Sequence, residues 1–149
     1  MGRAFLAAAI AMLGGTALNA EAVKPTQLLY VDGAVEASLT SVRGDPIAGR
    51  EVAANRKLGN CLACHTNSDM AELSFHGEVG PTLDGVGERW TEAELRGIVT
   101  NSKEMFEGTI MPAFYVNEGY NRPLEKFEGK SILTAQQVED VIAYLKTLK

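Results

Sequence analysis

The chain has 149 residues and a formal net charge of −5 at pH 7, and 46% of its residues are hydrophobic. This length suits one domain, and the apolar fraction is ordinary for a packed globular core. An acidic chain lacks the basic surface that phosphate binding requires, so nucleic acid is excluded as a partner.

Residues 1–22 have the features of a secretory signal peptide. Arg3 precedes the apolar run AFLAAAIAMLGGTAL, and the sequence Ala20-Glu21-Ala22 offers a small-residue cleavage site. The apolar run is too short to indicate a membrane span, and an uncleaved anchor is the alternative. We therefore expect cleavage after Ala20 or Ala22, export to the periplasm, and no membrane contact afterwards.

Two further segments follow the signal peptide. Residues 23–44 lack sustained periodicity and are interpreted as an N-terminal arm, whose apolar stretch Leu28–Val31 is expected to pack against the domain or a partner. Residues 45–149 are predicted to form the domain.

The first predicted helix begins at Pro46 and ends near Gly59. Asp45 can cap the first amides, and Pro46 occupies the first helical position, where its missing N–H costs nothing. Small residues at helical spacing would let another helix approach closely, and basic residues in the last turn would suit the helix dipole. The small residues are Ala48, Gly49, Val52 and Ala53, and the basic residues are Arg56 and Lys57.

Two capping boxes mark later helices. Thr91 with Glu94 predicts a helix over 92–101, and Thr134 with Gln137 predicts a final helix. The final helix carries apolar residues at helical spacing, namely Val138, Val141, Ile142, Leu145 and Leu148. The connecting stretch FEGTIMPAFYVNEGYNRPLEKFEGK is a long loop, and no convincing strand occurs. The predicted fold is all-α with loops long enough to wrap a large apolar cofactor.

The sequence Cys61-Leu62-Ala63-Cys64-His65 contains both cysteines of the chain. A redox dithiol would be expected beside a βαβ pattern, which is absent from the sequence pattern. A zinc site would need four ligands, and His65 adjoins Cys64 too closely to join His76 in one tetrahedron. A disulfide between cysteines three residues apart would be strained, and the small loop it closes would constrain very little of the chain.

The spacing favours covalent attachment of one haem c instead. Cysteines at i and i+3 lie on one side of a helical turn, so both sulfurs can form thioethers with one porphyrin edge. His65, at i+4, can then ligate the iron from the same face. Thioethers also suit an exported protein, because reduced thiols do not persist easily in an oxidising compartment.

A second axial ligand must come from the opposite face of the haem. Met111 is the best candidate, because it lies in a long loop and Pro112 fixes the chain just beyond it. Met70 follows His65 too closely to round the haem edge, since an extended chain advances only about 3.3–3.6 Å per residue. Met105 is interpreted as a core residue and His76 as a surface histidine.

These motifs resemble the class I cytochrome c family over about residues 45–149. The sequence GPTL matches the family's Gly-Pro-x-Leu, and the resemblance implies that the Pro81 carbonyl accepts the His65 N–H and that Leu83 packs on the haem. IMP matches the methionine loop of the family. The Tyr144-Leu145 pair matches the last helix, which is expected to cross the first at Ala48/Gly49.

Four longer stretches are similar to the SoxX family, the monohaem subunits of SoxAX sulfur-oxidation cytochromes: GREVAANRKLGNCLACH, HGEVGPTLDGVGERW, LRGIVTNSK and FEGTIMPAFY. This resemblance implies a subunit of an L-cysteine S-thiosulfotransferase heterodimer, in which thiosulfate is coupled oxidatively to a cysteine of a sulfur-carrier protein. The catalytic haem would lie on a SoxA-like partner, and this chain would pass electrons to a soluble acceptor cytochrome.

Two alternatives remain at this stage, a free periplasmic electron shuttle and a haem protein with an open iron site. Apolar residues in the arm and in loop 113–130 favour a partner surface over a free shuttle. They are Leu28, Leu29, Tyr30, Val31, Phe114, Tyr115, Tyr120 and Phe127.

Overall fold

The computed structural model describes residues 21–149, so most of the predicted signal peptide lies outside the described residues. The α-helices are α1 (Pro46–Ala54), α2 (Val86–Arg89), α3 (Glu92–Asn101) and α4 (Ala135–Leu145). Single 3-10 turns occur at Pro25–Gln27, Cys61–Ala63, Ser68–Met70, Ser102–Glu104 and Glu125–Phe127. Extended pairing within 21–149 is limited to one bridge, between Val31 and Ala34. The predicted all-α class is therefore confirmed.

The three predicted N-caps are confirmed, because each side chain accepts a backbone N–H of the first turn. Asp45 begins α1, Thr91 begins α3 and Thr134 begins α4, and both threonines form complete capping boxes. Helix α3 has the predicted bounds. Helix α4 ends at Leu145, before Leu148, which is nonetheless buried and accepts a hydrogen bond at its carbonyl from Gly87 N–H at 2.9 Å.

Helix α1 ends at Ala54, earlier than the predicted end near Gly59. Asn55 takes up an extended conformation, and its side-chain oxygen accepts the N–H of Lys57 at 2.9 Å. This local side-chain bond competes with continuation of the helix. Arg56 and Lys57 consequently lie in an exposed turn, so the prediction that they complement the helix dipole was wrong.

Helices α1 and α4 cross at the predicted small-residue stripe. A Cβ on Gly49 would overlap the carbonyl oxygen of Asp140 and would lie 2.9 Å from Cβ of Tyr144. The glycine therefore lets the two helix backbones touch directly. The cysteine motif begins in the segment that follows α1.

The arm of residues 23–44 packs on helices α3 and α4 through a buried ion pair. Arg96 Nε lies 2.9 Å from Glu139 Oε1, and the two side chains are 3% and 5% exposed. Arg96 also donates to the Val35 carbonyl at 2.9 Å, and the Leu39 N–H donates to Glu139 at 2.8 Å. The arm is thus bonded to both partners of the pair.

Of the eight apolar residues assigned to a partner surface, Tyr120 and Phe127 are partly buried, and the other six divide into two groups. Leu28 and Tyr30 pack against the core, and Phe114 and Tyr115 are buried in it. Leu29 is 81% exposed and Val31 63% exposed, so part of the arm does present apolar side chains to solvent. Over the described residues, no helix has the length and apolar character needed to cross a membrane.

Candidate functional site

The cysteine motif forms one tight turn after α1. Asn60 has a φ of 48°, and the N–H groups of Cys64 and His65 both donate to the Cys61 carbonyl, at 3.1 and 3.0 Å. The left-handed residue lets the chain reverse between α1 and the turn. The motif is therefore held by its own backbone hydrogen bonds.

Neither cysteine is in a disulfide, and both are partly buried. Burial raises the pKa of the Cys61 thiol to about 11, whereas a redox dithiol needs a lowered thiol pKa. Within residues 21–149 no group of three or more His, Cys, Asp or Glu side chains is placed to hold a metal ion. Two cysteines outside any disulfide fit the remaining interpretation, which is covalent attachment of haem c.

The imidazole of His65 is oriented by Pro81. His65 Nδ1 lies 2.6 Å from the Pro81 carbonyl oxygen. A carbonyl oxygen can only accept, so Nδ1 carries the hydrogen and the lone pair of the neutral ring lies on Nε2. This bond, which the family resemblance implied, leaves Nε2 as the atom able to ligate iron.

The segment after His65 returns alongside the motif and carries Pro81 to the imidazole. Carbonyls of three alternate residues accept its N–H groups: Gly77 donates to Leu62 at 2.8 Å, Gly80 to Cys64 at 2.8 Å, and Leu83 to Thr66 at 2.9 Å. A Cβ on Gly80 would overlap the His65 ring, with Nδ1 only 2.6 Å away. Only glycine lets the backbone lie against the imidazole, a role that the motif pattern did not reveal.

Polar groups fix the backbone on either side of Leu83, which is itself buried in the core. The Arg89 guanidinium donates to the carbonyls of Asp84 at 2.5 Å and Thr82 at 2.7 Å. The Asp84 carboxylate accepts from the hydroxyl and N–H of Ser68, and these hydrogen bonds lower its pKa. Arg89 thus stabilises the Pro81 loop, a function that sequence reasoning missed because its partners are backbone atoms.

Met111 lies in the long loop that follows α3 and is partly buried against the core cluster. After it, the N–H of Phe114 donates to the Val99 carbonyl at 3.3 Å, and that of Tyr115 to the Thr100 carbonyl at 3.0 Å. The loop therefore leaves the end of α3 and returns to the same place.

The less favoured ligand candidates have other contacts. Met70 is completely buried in the core cluster. His76 Nδ1 lies 3.3 Å from the N–H of Asn67, and its Nε2 lies 3.2 Å from the Met70 carbonyl. Both ring nitrogens of His76 are thus engaged. The Met105 backbone packs against Gly33 of the arm.

Comparison with known proteins shows the family of this chain. The cytochrome c family model matches residues 47–149. Two cytochrome c2 sequences of Rhodospirillum rubrum are similar: one is 30% identical over 80% of this chain and 97% of its own length, and the other is 32% identical over 71% and 99%. A chain in the crystal structure of SoxXA from P. pantotrophus is 50% identical, with a TM-score of 0.81, over 86% of this chain and 98% of that one.

The residues present fit haem c. Two free thiols stand at the attachment spacing, and beside them a histidine is held by a carbonyl so that Nε2 is available. The matched family segment spans this motif and runs to the end of the chain. The chain therefore belongs to the cytochrome c family, as a class I electron-transfer cytochrome that carries covalently bound haem c.

Proposed function

We propose that this chain is the monohaem subunit of a SoxAX-type complex that couples thiosulfate oxidatively to a cysteine of a sulfur-carrier protein. The similarity to a chain of the SoxXA crystal structure, 50% identical over 98% of that chain, carries the proposal. Coupling joins the terminal thiosulfate sulfur to the cysteine sulfur, releases the thiol proton and yields two electrons. The heterodimer acts as an L-cysteine S-thiosulfotransferase, with its catalytic haem on the SoxA-like partner.

The role of this chain in that reaction is to carry the electrons away. Cys61 and Cys64 would hold the haem through thioethers, His65 and Met111 would bind its iron, and Pro81 holds the imidazole. Bound haem supplies a one-electron couple between ferric and ferrous iron. Iron bound by both a histidine and a methionine would suit transfer to a soluble acceptor cytochrome, because no ligand would have to bind or leave. Leu83 would pack against the haem as part of its apolar surroundings.

The same proposal includes the processing of the chain. Residues 1–22 act as a signal peptide cleaved after Ala20 or Ala22, so haem attachment and partner binding take place in the periplasm. Residues 23–44 are the arm and 45–149 the haem domain. The exposed Leu29 and Val31 of the arm support a contact with the partner subunit.

Co-purification tests the proposed function. A tagged full-length chain, exported with its haem attached, should bring down a second haem-bearing chain that haem staining reveals. Thiosulfate should reduce the haem of this chain only when both that partner and the carrier protein are present. A lone monomer, or reduction by thiosulfate without a partner, would contradict the assignment. The similarity to cytochromes c2 makes a free electron shuttle the second candidate, and a functional monomer would support it.

Replacing Met111 tests the axial assignment separately. Met111→Ala should abolish the charge-transfer band that a methionine thioether gives with ferric iron, because the sulfur is removed. Met105→Ala is the matched control and should keep the full band. An unchanged visible spectrum of Met111→Ala would show that another residue is the ligand.

A further inference from the structure

The backbone of Met111 is held by three hydrogen bonds from residues near the end of α3 and within its own loop. Its carbonyl accepts the Ser102 hydroxyl at 3.0 Å and the Lys103 ammonium at 2.5 Å. Its N–H donates to the Thr109 hydroxyl at 3.2 Å. A carbonyl oxygen has two lone pairs, so both donors to it can be satisfied together.

The loop segment of residues 107–112, which contains Met111, makes few other contacts. Ile110 is 78% exposed, and a Cβ on Gly108 would meet no atom within 4 Å. Among the hydrogen bonds of the described residues, only the two to the Met111 carbonyl tie residues 107–112 to the turn that ends α3. These two donors therefore hold the Met111 carbonyl against that turn, while the Met111 side chain packs on the core cluster.

The two donors differ in strength and setting. Ser102 is completely buried, so its hydroxyl is fixed in place, whereas Lys103 is exposed and contributes a charged donor. A hydrogen bond from a charged group is roughly twice as strong as one between neutral groups. Both residues end the stretch LRGIVTNSK and lie outside the CxxCH, GPTL and IMP motifs. Ser102 lies nine residues before Met111 in the chain and Lys103 eight.

We propose that Ser102 and Lys103 are positioning residues that clamp the Met111 carbonyl and so keep the Met111 thioether at its ligand position. This inference rests on the proposed axial role of Met111. A small competing ligand can reach iron only from states in which Met111 has left, so its apparent affinity scales with the population of those states. Weakening the clamp raises that population.

Imidazole titration of the ferric, haem-loaded full-length chain tests the clamp. Ser102→Ala and Lys103→Met should each raise the apparent imidazole affinity by roughly 3- to 10-fold, since each removes one hydrogen bond that open states lack. The double variant should exceed either single one. Lys103→Arg should remain close to the unmodified protein, because arginine also offers charged N–H donors.

Matched controls separate positioning from general loss of stability. Ser131→Ala removes a hydroxyl that donates to the Leu133 carbonyl at 2.6 Å in another loop. Lys130→Met removes one positive charge from that same loop, where the lysine makes no side-chain hydrogen bond within 21–149. Both should lower stability slightly at most and leave imidazole affinity within about twofold. Equal gains in these controls would overturn the proposal.

The outcomes also separate the clamp from the axial assignment. If Met111→Ala loses the methionine band while the Ser102 and Lys103 variants bind imidazole as the unmodified protein does, the clamp is wrong and the ligand assignment stands. If Met111→Ala changes neither spectrum nor imidazole affinity, the axial assignment fails and the clamp fails with it. Lys103→Met alters an exposed side chain, so folding of that variant is secure even where Ser102→Ala misfolds.

Discussion

Arg96→Met is expected to lower the free energy of unfolding by about 3–5 kcal/mol, because it leaves a buried carboxylate without its counter-ion. Arg96 makes two bonds to Glu139, from Nε to Oε1 at 2.9 Å and from Nη2 to Oε2 at 3.2 Å. Desolvation alone would lower the pKa of Arg96, but the hydrogen bonds and charge of Glu139 outweigh it and raise that pKa. Guanidinium unfolding of the haem-loaded protein measures the loss.

Arg50→Met is the matched control for that variant. Arg50 pairs with Asp69 at 2.9 Å and with Glu72 at 2.7 Å, but its side chain is 36% exposed. Pairs at the surface contribute about 0–1 kcal/mol, so the expected loss is several times smaller than for Arg96. Similar losses for the two arginines would show that burial does not govern the Arg96 pair.

A second substitution defines what the ion pair does for the arm. Adding Glu139→Met to Arg96→Met removes the unpaired carboxylate and should restore part of the lost stability. Recovery should be incomplete, because the Val35 carbonyl and the Leu39 N–H lose the side chains that bind them. Full recovery would mean that those two arm contacts contribute nothing.

Gly49→Ala is expected to lower the free energy of unfolding by about 2 kcal/mol. Overpacking destabilises by up to about 3 kcal/mol. The higher helix propensity of alanine offsets about 1 kcal/mol of that loss. The added methyl would overlap the Asp140 carbonyl of α4, and backbone atoms cannot move aside as a flexible side chain can. The two helices must therefore separate at their crossing.

Glu51→Ala provides the comparison for Gly49, because Glu51 is exposed on the same helix. Its effect should stay within about 0.5 kcal/mol. Denaturant unfolding measures the free energy of unfolding of both variants. If that free energy falls with denaturant concentration at the same slope in both, the difference between them is the cost of the methyl at the helix crossing. A neutral Gly49→Ala would mean that α1 and α4 do not approach as closely as the structure places them.

Features encoded within one turn of chain were predictable from the sequence. Three helices begin at a capping residue whose side chain accepts a hydrogen bond from an amide two or three residues away. These capping residues are Asp45, Thr91 and Thr134. The cysteine motif is likewise local, so its chemistry could be inferred from spacing. The end of α1 was missed because Asn55 forms a competing turn, and helix boundaries depend on such small local differences.

The helix starts and the cytochrome motif were thus determined by the sequence alone, since each depends on neighbouring residues. The tertiary structure decided the rest. Arg96 and Glu139 are 43 positions apart, and Leu39 and Glu139 are 100 apart, so no spacing rule connects them. The donors to the Met111 carbonyl could not be predicted from the sequence either, because every residue has a backbone carbonyl that can accept a hydrogen bond. Only folding brings a particular donor within hydrogen-bond distance of a particular carbonyl.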